Sequence, residues 1–171
     1  MKIIGFIGID GVVEMILKGD SCLLNNRKPF FLPADKESIH ITPCIVLRIS
    51  RLGKHIAPKF AHRYYDAIAN GADFADAQRL AEARKNGHAW TEALAFDYSL
   101  ATGEMQPIVQ TVTERSDDAR LLISEADAIA RASELMTIRQ GDLIYIQLAE
   151  GSRRVLREEV IEAPGLYCKV K

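Results

Sequence analysis

Apolar positions dominate the start of the chain. Ile3, Ile4, Phe6, Ile7 and Ile9 form a run that stops at Asp10-Gly11, and Val12, Val13, Met15, Ile16 and Leu17 follow at once. Two apolar runs split by Asp-Gly predict a β-hairpin. The stretch 39–50 predicts a long strand. Alternation puts His40, Thr42, Cys44 and Val46 on one face and Ile41, Pro43, Ile45 and Leu47 on the other. The second face is plainly core. The first opens with an imidazole, a hydroxyl and a thiol. Further on, Phe60, Tyr64 and Ile68 recur at helical spacing behind Pro58 and predict a helix that Gly71 ends. Asp73 is then placed to cap a second helix, FADAQRLAEARKN, closed by Gly87. Residues 90–113 read as loop and strand anchored by Trp90, Phe96 and Tyr98, and 114–120 as an exposed polar segment. Ser124, with Asp127 three residues on, opens a third helix. DLIYIQL (142–148), VLREEVIEA and LYCKVK read as closing strands. Strands before, between and after two or three helices predict an α+β fold.

Composition narrows the classes. A length of 171 residues fits one domain, 1–171, with a sizeable core. A net charge of −1 argues against a nucleic-acid or membrane partner held by charge. The basic stretch Arg48, Arg51, Lys54, Lys59 and Arg63 then reads as a solvated face offset by acidic helices. Cys22, Cys44 and Cys168 are far apart and odd in number, so a disulfide framework is not expected and a reducing cytoplasm is. The opening KIIGFIGID stops too soon for a signal peptide, and no run reaches the ~18 apolar residues of a membrane span.

Gly5, Gly8 and Gly11 are spaced by three but precede no helix, so they read as turns and strand packing rather than a phosphate loop. His40, Thr42 and Cys44 admit three readings. They are a packed strand face, since a free cysteine is commonly a small buried hydrophobe. Or His40, Cys44 and Asp73 supply three of the four ligands of a Zn²⁺ site. Or Cys44 is a nucleophile with His40 or His62 as its base, although four residues of strand separate His40 from Cys44 by about 13 Å. His62 otherwise reads as a helix-surface residue.

The segments RKPFFLP, SIHITPCIVLRISRLGKHIAPKFAHRYYDAIANGADF, GHAWTEALAFDYSLATGE and ELMTIRQGDLIYI resemble, in order, proteins of the fumarylacetoacetate hydrolase family of one bacterial type. The resemblance runs from about Val12 onward. It implies a mixed β-roll fold, α+β, with flanking helices, and a homodimer. It also implies a divalent metal, Mg²⁺ in many members, used to hydrolyse, decarboxylate or isomerise 2-oxo acids and β-diketones such as acylpyruvates. In such a site carboxylates hold a hard cation, which polarises a chelated carbonyl. A lysine adds charge where the oxyanion forms.

The chain departs from that pattern where the chemistry sits. The family's Glu-x-Glu falls on Thr42 and Cys44, its lysine on Leu94, and its late Thr-Gly-Thr-Pro loop on IQLA (146–149). Asp73 alone stands at a retained ligand position. The family's N-terminal Asn-Tyr-x-x-His segment has no counterpart, so that segment is expected to be shortened. The resemblance therefore implies a relative without its divalent-metal site and without a cofactor, a homodimer in a binding or partner role, with an active paralogue or a 2-oxo acid. The alternative is a weak or soft-metal hydrolase, decarboxylase or isomerase working through Asp73, with Mg²⁺ or Zn²⁺.

Overall fold

The computed structural model describes residues 1–36, 38–108 and 120–171. Its strands are β1 (Ile3–Ile9), β2 (Val12–Lys18), β3 (Leu23–Asn25), β4 (Ile39–Ile49), β5 (Tyr65–Asp76), β6 (Leu100–Thr102), β7 (Gln106–Pro107), β8 (Leu143–Gln147), β9 (Arg153–Arg154), β10 (Val160–Ala163) and β11 (Leu166–Lys169). The helices are α1 (Ala77–Asn86), α2 (Thr91–Leu94) and α3 (Glu125–Leu135), with 3₁₀ turns at Asp20–Cys22 and Pro58–Arg63. The main sheet runs β2-β1-β8-β4-β5-β6-β3, with β7 on β5 and β9 on β4, while β10 and β11 form a separate hairpin. This is a mixed sheet, because β1 pairs with β8 in parallel and with β2 antiparallel. Among the described residues no helix is long and apolar enough to cross a membrane.

The hairpin forms where Asp10-Gly11 lets the chain reverse with both residues at positive φ, 49° and 77°. The central strands then bury both faces. Ile4 and Phe6, Leu47 and Ile49, and Ile144 and Ile146 pack with Ala128, Ile129 and Ala132 of α3. Their alternating neighbours Ile3 and Ile7, Cys44 and Val46, and Leu143 and Tyr145 pack with Ala93 and Leu94 of α2 on the opposite side. A third cluster closes the end of the sheet, where the Phe30 and Phe74 rings stack at 4.0 Å and the β10–β11 hairpin contributes Ile161, Leu166 and Cys168.

Two expectations change here. The helix predicted behind Pro58 is a short 3₁₀ turn, and the chain from Tyr65 is a twelve-residue strand. That strand pairs with β4 along nearly its whole length, from Ile39↔Asp76 to Ile49↔Tyr65. A long β-branched template of this kind overrides the helical preference of Ala67, Ala69 and Ala72. Asp73 consequently lies inside β5, and the cap of α1 is Asp76, whose carboxylate accepts from the Arg79 amide at 3.0 Å. Ser124 caps α3 as expected, accepting from the Asp127 amide, and Gly87 closes α1 in the left-handed region. Of the polar segment 114–120, all but Arg120 lies outside the described residues.

Candidate functional site

Strand pairing sets which side chains meet. Thr42 stands directly opposite Asp73, and Cys44 lies between Gly71 on β5 and Gln147 on β8. Gly71 is needed for this closeness: a Cβ there would come within 2.9 Å of the Cys44 sulfur and 2.7 Å of Val46. On the same face Tyr145 lies across Gly5, where a Cβ would approach the ring to 2.3 Å.

Asp73 is buried and ionically paired. The Lys18 ammonium, from the end of β2, donates to Asp73 Oδ1 at 2.6 Å, and the two side chains are 0% and 1% exposed. The same ammonium donates to the Ser99 carbonyl at 2.9 Å and to Ser99 Oγ at 3.0 Å. All three N–H donors of a lysine are thereby used. The second Asp73 oxygen accepts from Gln147 Nε2 at 2.8 Å. Gln147 is oriented in turn by the Gly8 amide, which donates to its Oε1 at 3.0 Å. A line of polar groups thus crosses the apolar layer from β1 through β8 and β5 to β2 and the loop before β6.

Two neutral groups flank this line. Burial pushes the Cys44 thiol well above its ordinary value, the Asp73 charge pushes it further, and Lys18 offsets part of that. The Tyr145 phenol is raised in the same way, by burial first and then by Asp73 and Cys44. Its hydroxyl is buried without a hydrogen-bond partner among the described residues. The Lys18 ammonium lies 5.6 Å from the Tyr145 ring centroid, a cation–π distance. Leu94 is buried in the same apolar wall.

His40 does not join this group. It pairs across the sheet with Ala75 and with Arg154 of β9, at the start of β4, and is only half-buried. His62 is exposed on the 3₁₀ turn beyond the other end of β4. Neither imidazole is placed to serve Cys44, and among the described residues no three His, Cys, Asp or Glu groups gather as a metal-binding set. The structure therefore does not bring together the soft-metal triad of His40, Cys44 and Asp73 or the Cys–His dyad: His40 shares a face with Cys44 but lies four residues away along β4, and His62 lies beyond the strand's far end. Sequence pattern does not single out Lys18, Ser99, Gln147 or Tyr145. Their only sequence signal is a lone lysine ending the apolar run VVEMIL.

An apolar cleft of about 460 Å³ opens on the other face of β4 and β5, between Ile45, Tyr65, Ile68, Leu121 and Leu148. Asp73 and Cys44 do not line it.

No family model matches the chain, and no curated protein sequence does. Solved structures match it closely. A protein assigned to the fumarylacetoacetate hydrolase family from Yersinia pestis CO92 superposes with a TM-score of 0.87 at 18% identity, over 99% of this chain and 92% of that one. Fumarylpyruvate hydrolase from Pseudomonas aeruginosa, in complex with Mn²⁺ and pyruvate, gives 0.84 at 20% identity, over 99% and 88%. The 2-hydroxyhepta-2,4-diene-1,7-dioate isomerase from Mycobacterium marinum gives 0.76 at 20%, over 99% and 73%. The chain has the fold of the fumarylacetoacetate hydrolase family.

Proposed function

We propose that this chain is a non-catalytic relative of the fumarylacetoacetate hydrolases, its divalent-metal position given over to an internal ion pair. The carrying observation is the Lys18–Asp73 contact at 2.6 Å with both side chains buried. A hard divalent cation needs several oxygen ligands, usually with carboxylates among them. Among the described residues one carboxylate faces the position, and Lys18 balances its charge. A divalent ion would add two uncompensated charges to an apolar layer, where burying charge is costly. Thr42 is neutral, and the raised Cys44 thiol stays protonated, so neither supplies the missing charge. These residues do not fit a divalent ion. Leu94 places hydrocarbon where the resemblance puts a lysine, leaving an oxyanion without a counter-charge.

The role left to the scaffold is binding or partnership, as a homodimer or with an active relative. The three cysteines are free and buried, which supports a reducing cytoplasm. The test is calorimetric titration with Mn²⁺ and Mg²⁺ together with an assay on acylpyruvates. No binding below millimolar metal and no turnover are expected. One equivalent of bound metal with turnover that Asp73→Ala abolishes would overturn the reading in favour of a metal-dependent hydrolase.

A further inference from the structure

The basic stretch running from Arg48 to Arg63 carries no carboxylate of its own, and α3, with Glu125, Asp127 and Glu134, packs against its 3₁₀ turn. Residues 38–65 contain no Asp or Glu, yet hold Arg48, Arg51, Lys54, Lys59 and Arg63. Of these, Arg48 alone has a carboxylate partner among the described residues, Asp66 at 2.8 Å. The Lys54 ammonium donates to the Glu134 backbone carbonyl at the end of α3. Arg51, Lys59 and Arg63 are exposed and have no ion pair among the described residues.

They also lie together. The Ser50 amide donates to the Tyr64 carbonyl at 2.8 Å, which brings the residue before Arg51 against the residue after Arg63. In the 3₁₀ turn, positions three apart share a face, so Phe60 stands with Arg63 and Lys59 with His62. Lys59 Nζ and Arg63 Cζ each lie 5.0 Å from the Phe60 ring centroid. Phe60 is 40% exposed and Leu52 70% exposed on the same loop. About 20 Å of β4 separates this patch from the Asp73 position, so its use does not depend on whether the chain binds metal.

We propose that Arg51, Lys59 and Arg63, with Phe60 and Leu52 between them, form a docking surface for an acidic protein segment. Guanidinium groups take carboxylates in paired hydrogen bonds, and the exposed apolar side chains receive the hydrophobic residues of such a segment. A nucleic acid fits less well. Single strands bind by stacking bases on free aromatic faces, and Phe60 already carries two cations from its own chain. A long polyanion would also reach beyond the patch, over a surface whose charges outside 38–65 are net acidic.

The experiment is fluorescence anisotropy at 150 mM salt with a labelled ten-residue peptide of Glu and Asp interspersed with Leu, beside a ten-nucleotide single strand. The full chain is compared with Arg51→Glu/Lys59→Glu/Arg63→Glu and with a control triple reversal at the exposed Lys28, Lys85 and Arg157. Circular dichroism checks the fold, and Arg51→Gln/Arg63→Gln replaces the patch variant if that one is unfolded. Peptide binding that weakens at least tenfold in the patch variant and less than threefold in the control supports the proposal. It is overturned by no peptide binding, by equal loss in both variants, or by tighter binding of the oligonucleotide.

Discussion

Two carboxylates on β5 meet cations under opposite conditions. Asp73 faces inward and holds Lys18 with neither side chain exposed. Asp66, seven residues earlier, faces outward and holds Arg48, with side chains 48% and 45% exposed. The contact lengths are similar, 2.6 and 2.8 Å. Their consequences are not. Water screens the outer pair and solvates either partner alone, so little is lost when it breaks. At the inner pair there is no water to take over, and a broken pair leaves a bare charge in hydrocarbon. A short distance therefore says little until burial is known.

The largest expected effect comes from breaking the inner pair. Lys18→Met should cost about 3–5 kcal/mol. For a chain of this size that lowers the melting temperature by about 6–20 °C, measured by thermal denaturation. Lys18→Met/Asp73→Leu should recover most of the loss, because no charge remains to strand. A double variant as unstable as the single would show that the pair acts through packing instead.

The next effect is alkaline. Cys44 and Tyr145 are held neutral in the fold, above ordinary values of 9.0 and 10.0. The unfolded chain ionises first, so stability present below pH 9 falls as pH rises beyond it. Urea midpoints between pH 8 and 11 should show this decline, starting later in Cys44→Ala.

Asp142 gives the acid counterpart. Burial pushes its carboxyl up, but the Lys2 ammonium and amide and the Arg139 amide together hold it below 3.8. Its stabilisation is present above that value and lost as pH falls below it. Asp142→Asn should cost about 1 kcal/mol at pH 7, with the gap to wild type closing below pH 4 in denaturant titrations. The smallest effect belongs to the outer pair: Arg48→Met should change stability by about 0.2–1 kcal/mol, shrinking further in 1 M salt. A loss as large as that of Lys18→Met would erase the contrast between the two pairs.

Much of the frame is legible from local pattern. Asp10-Gly11 marks its hairpin, the β-branched alternation of 39–50 marks β4, and Ser124 and Gly87 mark helix ends, because each signal is contained within a few residues. β5 reads wrongly as helix because its identity is set by a partner strand and not by its own alanines. The site is legible only by halves. Thr42, Cys44 and Asp73 are found through the family resemblance and not through register, since β5 itself reads as helix. Lys18, Ser99 and Gln147 come from β2, the loop before β6 and the end of β8, and only the folded sheet brings them to Asp73.

The strand order has a consequence for synthesis. β8 lies between β1 and β4, and it is made more than ninety residues after β4 begins. Until it emerges from the ribosome, β1 and β4 each present an open edge of Ile, Phe and Val, the kind of edge that pairs with other chains. The last ligand of Asp73, Gln147, arrives with the same strand. The central sheet and its buried charge are thus completed in one late event, and a nascent chain stalled before residue 143 would be the aggregation-prone species that a chaperone must hold.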